Sequence, residues 1–232
     1  MKKKLLFVLV VIMPFILSGQ TIKPGIIVGI NLANWREDDV LFAEDLAYGM
    51  NLVLGSSDFK INCDSRIGFS AGMLIDYQLA KFLSIQPELS YSQKGSKFSG
   101  TGTVEFEGKF YSVDEDWIMQ LDYIDFSIMT KISLTKSNIK PYIIAGPGLG
   151  YLLSSKMKVK ATVEGETSTD SSEADMFRDL DYYINAGVGF DFYGSIRIEF
   201  RCYHFFNPVT DESKSEYKLY NCIKSMNLII CF

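Results

Sequence analysis

Ser195-Ile-Arg-Ile-Glu-Phe-Arg-Cys-Tyr-His-Phe-Phe206 alternates apolar and polar side chains almost without a break. Ile196, Ile198, Phe200 and Cys202 share one face, and Arg197, Glu199, Arg201 and Tyr203 share the other. A period of two belongs to an extended strand, whose successive side chains point to opposite sides of a sheet. Three further stretches repeat the pattern. Ile67, Phe69, Ala71, Met73, Ile75 and Tyr77 stand against Gly68, Ser70, Gly72, Asp76 and Gln78. Leu83, Ile85, Pro87, Leu89 and Tyr91 stand against Ser84, Gln86, Glu88, Ser90 and Ser92. Met226, Leu228, Ile230 and Phe232 close the chain against Ser225 and Asn227.

Extending this reading predicts eight strands, over 23–34, 66–79, 82–95, 119–134, 139–153, 181–193, 195–206 and 222–232. The connections after the second, fourth and sixth strands are tight, near Ala80-Lys81, Thr135 to Asn138, and Gly194. Those after the first, third, fifth and seventh are long and polar. Strict alternation of short and long links is the layout of an outer-membrane barrel with tight periplasmic turns and long external loops. An even strand count then leaves both termini in the periplasm. The apolar faces meet lipid, and ring closure leaves no unpaired backbone edge. Pro87 and Pro147 fall inside strands, where a missing N–H predicts bulges or ladder irregularities.

Lys2, Lys3 and Lys4 precede an apolar run from Leu5 to Leu17, and Ser18-Gly19 follows. That three-part layout reads as a signal peptide over residues 1–19, with the barrel domain over 20–232. Gln20 stands where a lipoprotein would carry cysteine, so ordinary cleavage is expected. Removing the three lysines leaves 20 of 23 basic residues against 28 acidic ones, a net charge of −8. Such a chain gains nothing electrostatically from nucleic acid. Aromatics gather at two levels, as bilayer interfaces select. Tyr91, Tyr123, Tyr151, Tyr182 and Phe200 lie toward the long-loop ends, and Tyr77, Phe82, Tyr142, Phe192 and Phe232 toward the short-turn ends.

Three segments carry a family resemblance: Leu83-Ser-Ile-Gln-Pro-Glu-Leu-Ser-Tyr-Ser-Gln-Lys-Gly95, Leu121-Asp-Tyr-Ile-Asp-Phe-Ser-Ile-Met-Thr-Lys131, and Lys140-Pro-Tyr-Ile-Ile-Ala-Gly-Pro-Gly-Leu-Gly-Tyr151. Together with the strand spacing they resemble the PorT-like outer-membrane β-barrel proteins over most of the mature chain. Ser127 departs from the proline usual there. The resemblance implies an outer-membrane barrel but no single activity, since only one branch is linked to protein secretion. Phe232, closing the last alternating strand, looks like the terminal signal read by the outer-membrane assembly machinery.

The inward faces are expected to hold Glu88, Asp125, Lys131, Asp191, Arg197, Glu199 and Arg201 as a barrel-interior polar network. Eight strands enclose a lumen just wide enough for side chains to fill. Charges of both signs there read as a salt-bridged filling, and a conducting path is the alternative. His204, the single histidine, falls on the lipid-facing side with Ile196, Ile198 and Phe200, which argues against general acid–base work. The Glu37, Asp38, Asp39, Glu44, Asp45 cluster lacks calcium-loop spacing and reads as a solvated loop. Lys156, Lys158 and Lys160 read as a strand or hairpin extending past the membrane, followed by a mobile acidic Ser/Thr-rich part. Gly146, Gly148, Gly150, Gly187 and Gly189 fit no nucleotide motif and are expected to make room for large side chains opposite. Cys63, Cys202, Cys222 and Cys231 match no metal motif and are expected as free thiols, with Cys202–Cys222 the pairing if one forms. No catalytic, cofactor or metal residue is assigned. The leading expectation is a non-enzymatic barrel with a structural, adhesion or secretion-accessory role through its loops. Its partners would be outer-membrane lipid, the assembly machinery, and another envelope or secretion protein. A narrow channel is the alternative, and a lipid-modifying enzyme the third.

Overall fold

A computed structural model describes residues 21–54, 59–106, 108–135 and 137–232. The expected signal peptide lies outside these. In chain order the elements are β1 (Ile22–Glu37), α1 (Asp39–Leu54), β2 (Lys60–Asp64), β3 (Arg66–Ala80), β4 (Leu83–Phe106), β5 (Lys109–Ser133), β6 (Ile139–Val163), β7 (Glu166–Glu173), β8 (Leu180–Phe192), β9 (Ile196–Phe205) and β10 (Leu219–Cys231).

Eight of these strands close into an antiparallel ring, in the order β1, β3, β4, β5, β6, β8, β9, β10. The seam is the β1–β10 ladder, running from Gly25 opposite Cys231 to Glu37 opposite Leu219. The all-β antiparallel barrel expected from the alternation is therefore the fold, with the eight predicted strands at its ring positions. Its outer wall is apolar and bare. Ile26, Val28, Ile30, Met73, Phe126, Ile143, Val188, Phe200, Met226 and Leu228 are all exposed. A continuous apolar girdle of this extent is far larger than the patches a water-soluble surface tolerates. Of the aromatics expected at two levels, Phe82, Tyr151, Tyr182, Phe200 and Phe232 point outward, while Tyr123 and Tyr142 are buried in the lumen.

Both prolines interrupt a ladder on one side. The β3–β4 register skips from Leu74–Glu88 to Tyr77–Ile85, opposite Pro87. The β5–β6 register skips from Ser127–Gly148 to Thr130–Ala145, opposite Pro147. Each proline lacks the N–H that the missing rung needs. The links after β3 and β8 are as tight as expected: Ala80 pairs with Leu83, and the Ser195 N–H donates to the Phe192 carbonyl at 3.2 Å across Tyr193 and Gly194, whose positive φ values match strand twist.

The other end departs from the sequence reading. The acidic stretch expected as a solvated loop is mostly the helix α1. Phe42, Leu46 and Met50 recur every four residues on it and face the core. Asp38 sits before its first turn, with its carbonyl accepting the Phe42 N–H at 2.9 Å. The Ser/Thr-rich segment expected to be mobile is the strand β7, laddered to β6 from Lys156–Glu173 to Val163–Glu166. Glu164 and Gly165, both at positive φ, turn that hairpin. β4 and β5 likewise run on as an unbroken ladder to Phe106–Lys109. With β2 on β4, these extensions make a sheet in the order β2, β4, β5, β6, β7 standing beyond the ring. We call this the platform end and the opposite one the turn end.

Four free cysteines complete the fold. Cys202 lies opposite Lys224 and Cys222 opposite His204, two residues out of step on the outer wall. Cys63, in β2, donates its thiol proton to the Asp39 carbonyl at 3.3 Å. Burial, then the Asp39 and Asp64 carboxylates, push this thiol up to about 11. Thiolate forms only as the pH approaches that value. With the other three cysteines replaced by serine, maleimide labelling of Cys63 should keep rising toward pH 11. A plateau near pH 9 would contradict the packing of β2 against α1.

Candidate functional site

The lumen is filled by three polar layers of side chains and, toward the platform, an apolar plug. At the turn end, Arg197 is the hub. Its Nε donates to Asp191 Oδ2 at 3.1 Å and its Nη1 to Gln86 Oε1 at 3.0 Å, while Nη2 pairs with Asp76. Asp76 also pairs with Lys131. Asp191 Oδ1 accepts the Gly194 N–H at 2.6 Å, tying the layer to the hairpin turn beneath it.

The middle layer centres on Arg201. Its Nη1 and Nη2 donate to the two oxygens of Glu88, each at 2.7 Å, and its Nε donates to Glu199 Oε2 at 2.6 Å. This is the two-pronged geometry that makes arginine–carboxylate pairs strong. Tyr142 donates to Glu199 Oε1 at 2.6 Å, and Gln86 Nε2 donates to Glu88 Oε1 at 2.6 Å. Glu199 is fully buried and Arg197 1% exposed. In such surroundings a charge without a partner is severely penalised.

Toward the platform, Lys94 Nζ donates to Asp125 Oδ1 at 2.9 Å and sits 4.0 Å from Asp181 Oδ2. The same ammonium lies 4.0 Å from the Tyr123 ring centroid, within cation–π range. Ser92 donates to Asp125, and Asn221 Nδ2 donates to Asp181 Oδ2 at 2.7 Å. Above this layer the lumen turns apolar. Trp35 packs on Phe42, Phe98 and Phe177 at centroid distances of 6.1, 5.7 and 5.7 Å. Leu121, Met119, Trp117 and Leu219 join them. α1 and the inner face of the platform cover this plug.

All seven residues assigned to the interior from sequence lie in the lumen. The strands bring together Asp191 with Arg197, and Glu88 and Glu199 with Arg201. Lys131 and Asp125 instead find Asp76 and Lys94, which the sequence reading left out along with Asp181. Asp76 was already on the polar face of its alternating strand, so period two alone could have included it. Counting buried groups, six carboxylates (Asp76, Glu88, Asp125, Asp181, Asp191, Glu199) face four cations (Lys94, Lys131, Arg197, Arg201), while a fifth, Arg66, donates to the Lys94 carbonyl and to Gln93. Charges of both signs in mutual contact suit a packed filling.

Little space is left. A cavity of about 20 Å³ lies between Glu88, Lys94, Asp125 and Arg201, and a basin of about 60 Å³ opens at the turn end beside Lys23, Lys81 and Lys140. The first has room for about one water. Glycines shape this packing. A Cβ on Gly148 would meet the Tyr183 ring at 2.2 Å, and one on Gly189 would meet the Tyr142 ring at 2.5 Å. Gly148→Val should therefore destabilise the barrel by about 1–3 kcal/mol through overpacking, read as a lower urea midpoint in lipid vesicles. An unchanged midpoint would contradict a tightly packed lumen.

His204 stands on the outer wall, its ring 5.3 Å from Phe206. It shares no layer with the buried carboxylates.

Residues 25–211 match a family described as "Outer membrane protein beta-barrel domain". No curated protein matches the chain. Among solved structures it is similar to Ail, the attachment invasion locus protein of Yersinia pestis, at 14% identity and a TM-score of 0.42. That match covers 90% of this chain and 98% of Ail. It is similar to Neisserial surface protein A at 12% identity and a TM-score of 0.40, covering 93% of this chain and 100% of that one. The outer membrane enzyme PagL gives 12% identity and a TM-score of 0.40, over 89% and 98% of the two chains.

Proposed function

Because the chain belongs to the outer membrane protein beta-barrel domain family and is an integral outer-membrane barrel, we propose that it is a non-enzymatic display scaffold whose platform engages a partner outside the cell. In this reading the short turns and both termini face the periplasm, and α1, β2 and the β4–β5 and β6–β7 hairpins stand in the medium. The partner is another envelope or secretion component, or a surface the cell adheres to. The PorT-like resemblance of Leu83–Gly95, Leu121–Lys131 and Lys140–Tyr151 agrees with a secretion-accessory role. Phe232, exposed at the end of β10, is the residue we assign to recognition by the assembly machinery.

The observation that carries the reading is the contrast between a lumen sealed by ion pairs and a Trp35-centred plug, and an external sheet built well beyond what crossing a bilayer needs. Reconstitution into planar bilayers tests it. No reproducible unit conductance is expected; steady openings would favour the second reading, a narrow channel. That alternative has one specific support, the ionisable basin of about 60 Å³ at the turn end. A lipid-modifying enzyme is the third reading. Acid–base work most often recruits histidine, and the outward position of His204 beside Phe206 suits an interfacial side chain. His204→Ala is expected to leave the membrane's lipid A and phospholipid composition unchanged.

A further inference from the structure

The outward face of β10 reads Phe232, Ile230, Leu228, Met226 and then Lys224. The four apolar members are exposed to the surroundings of the barrel, and Lys224 continues their row in the same exposed orientation. Its direct neighbours across the ladders are Leu32 and Cys202. His204 stands one step diagonally away, opposite Cys222 on one side and Ile184 on the other. Diagonal cross-strand neighbours lie about 7–8 Å apart, within reach of a long side chain.

Height locates the pair. Eight residues separate Lys224 from Phe232 along β10, which at a rise of about 3.3 Å and a tilt of about 40° is about 20 Å up a band about 25 Å tall. His204 lies opposite Cys222, two residues nearer the platform on the same ladder. Lys224 therefore sits just inside the platform-side rim of the apolar belt, and His204 at that rim. A lysine facing lipid there is tolerable only because its four-carbon stem carries the ammonium to the headgroups. Arg36, four residues beyond Leu32 on the same wall, is engaged by the Phe205 carbonyl at 2.8 Å and the Tyr220 ring, whereas among the described residues no ion pair engages Lys224.

We propose that Lys224, with His204 as a second donor, forms a site on the β1–β10–β9 wall for the phosphate of an outer-leaflet lipid headgroup. The occupant follows from position and charge. Belt depth presents the site to lipid, the surrounding Leu32, Cys202, Met226 and Ile184 accept acyl chains, and the Lys224 ammonium fits a phosphate rather than a neutral headgroup. Assigning the lipid to the outer leaflet rests on the orientation proposed above.

The test uses the full-length barrel in phosphatidylcholine nanodiscs doped with one of three lipids: phosphorylated lipid A, dephosphorylated lipid A, or phosphatidylglycerol. Bound lipid is counted by native mass spectrometry. The wild type is expected to enrich phosphorylated over dephosphorylated lipid A by about tenfold, the scale of one charge-assisted contact. Lys224→Met should abolish the preference, Lys224→Arg should keep it, and Lys156→Gln, on the platform, should not alter it. Lys224→Met exchanges a belt charge for an apolar side chain, so folding should not suffer; Lys224→Gln is the second variant. Equal enrichment in wild type and both Lys224 variants would overturn the proposal, as would indifference to the phosphates. An epitope inserted at the Glu164–Gly165 turn and probed on intact cells tests orientation separately. A hidden epitope together with Lys224-dependent preference for phosphatidylglycerol would refute the orientation and move the site to the inner leaflet.

Discussion

Arg201→Met is expected to destabilise the barrel by about 3–5 kcal/mol, because it strands two buried carboxylates at once. Glu88 would lose both 2.7 Å bonds from Arg201 and keep only the neutral donors Gln86 and Ser127, and Glu199 would keep only the Tyr142 hydroxyl at 2.6 Å. Lipid and a filled lumen leave neither carboxylate a route to bulk water. The defect is specific to unpaired charge, and that gives a second arm. Combining Arg201→Met with Glu88→Gln and Glu199→Gln removes the whole ionic cluster while keeping its volume. The triple variant should recover most of the loss, since a buried ion pair is often matched by neutral replacements. Urea titrations in vesicles, followed by the heat-dependent gel shift, measure both. If Arg201→Met unfolds at the wild-type midpoint, the middle layer is hydrated and the lumen is not packed as described.

Trp35→Ala is the second large effect, expected at about 3–5 kcal/mol but confined to the platform end. Trp35 is 1% exposed and holds Phe42 of α1, Phe98 of β4 and Phe177 together. Removing the indole takes away the surface on which α1 is seated, whereas the ring below is secured by its own ladders and ion pairs. Amide exchange should report the difference. Protection across Phe42, Leu46 and Met50 should collapse, while β9 and β10 below Phe200 and Met226 stay protected. Trp35→Phe should cost much less, because the indole Nε1 has no partner in the folded protein. Uniform loss of protection through ring and helix would contradict a plug that folds as a separate layer.

The ring was legible in the sequence because lipid outside and polar packing inside impose period two on both faces of each strand. Ser195–Phe206 shows it in full: Ile196, Ile198 and Phe200 outward, Arg197, Glu199 and Arg201 inward. That signal fades where the environment changes. Beyond Gly95 and before Met119, β4 and β5 face water on one side and the plug on the other. Their Ser, Thr, Gly and Asp residues hide the contrast, and the ladder to Phe106–Lys109 went unread. α1 was masked by its acids. Its Phe42–Leu46–Met50 spacing is helical, but five carboxylates nearby dominate the composition. The interior network was read as a set of charges, yet its partners come from strands far apart in sequence. Arg197 reaches Asp76 and Gln86 across the lumen, and Lys94 reaches Asp125 and Asp181. Alternation says which way a side chain points, and only ring closure says what it meets.

That closure is open to a direct measurement. Ile30 and Met226 are direct partners on the outward face of the β1–β10 seam. With the four native cysteines replaced by serine, Ile30→Cys and Met226→Cys should oxidise to an intrachain disulfide in isolated outer membranes, seen as a species that stays compact on a boiled non-reducing gel. Moving the second cysteine to Asn227, on the opposite face, should give none. Failure of the 30–226 pair to cross-link, or its appearance in a soluble periplasmic fraction, would contradict a barrel closed between its first and last strands in the outer membrane.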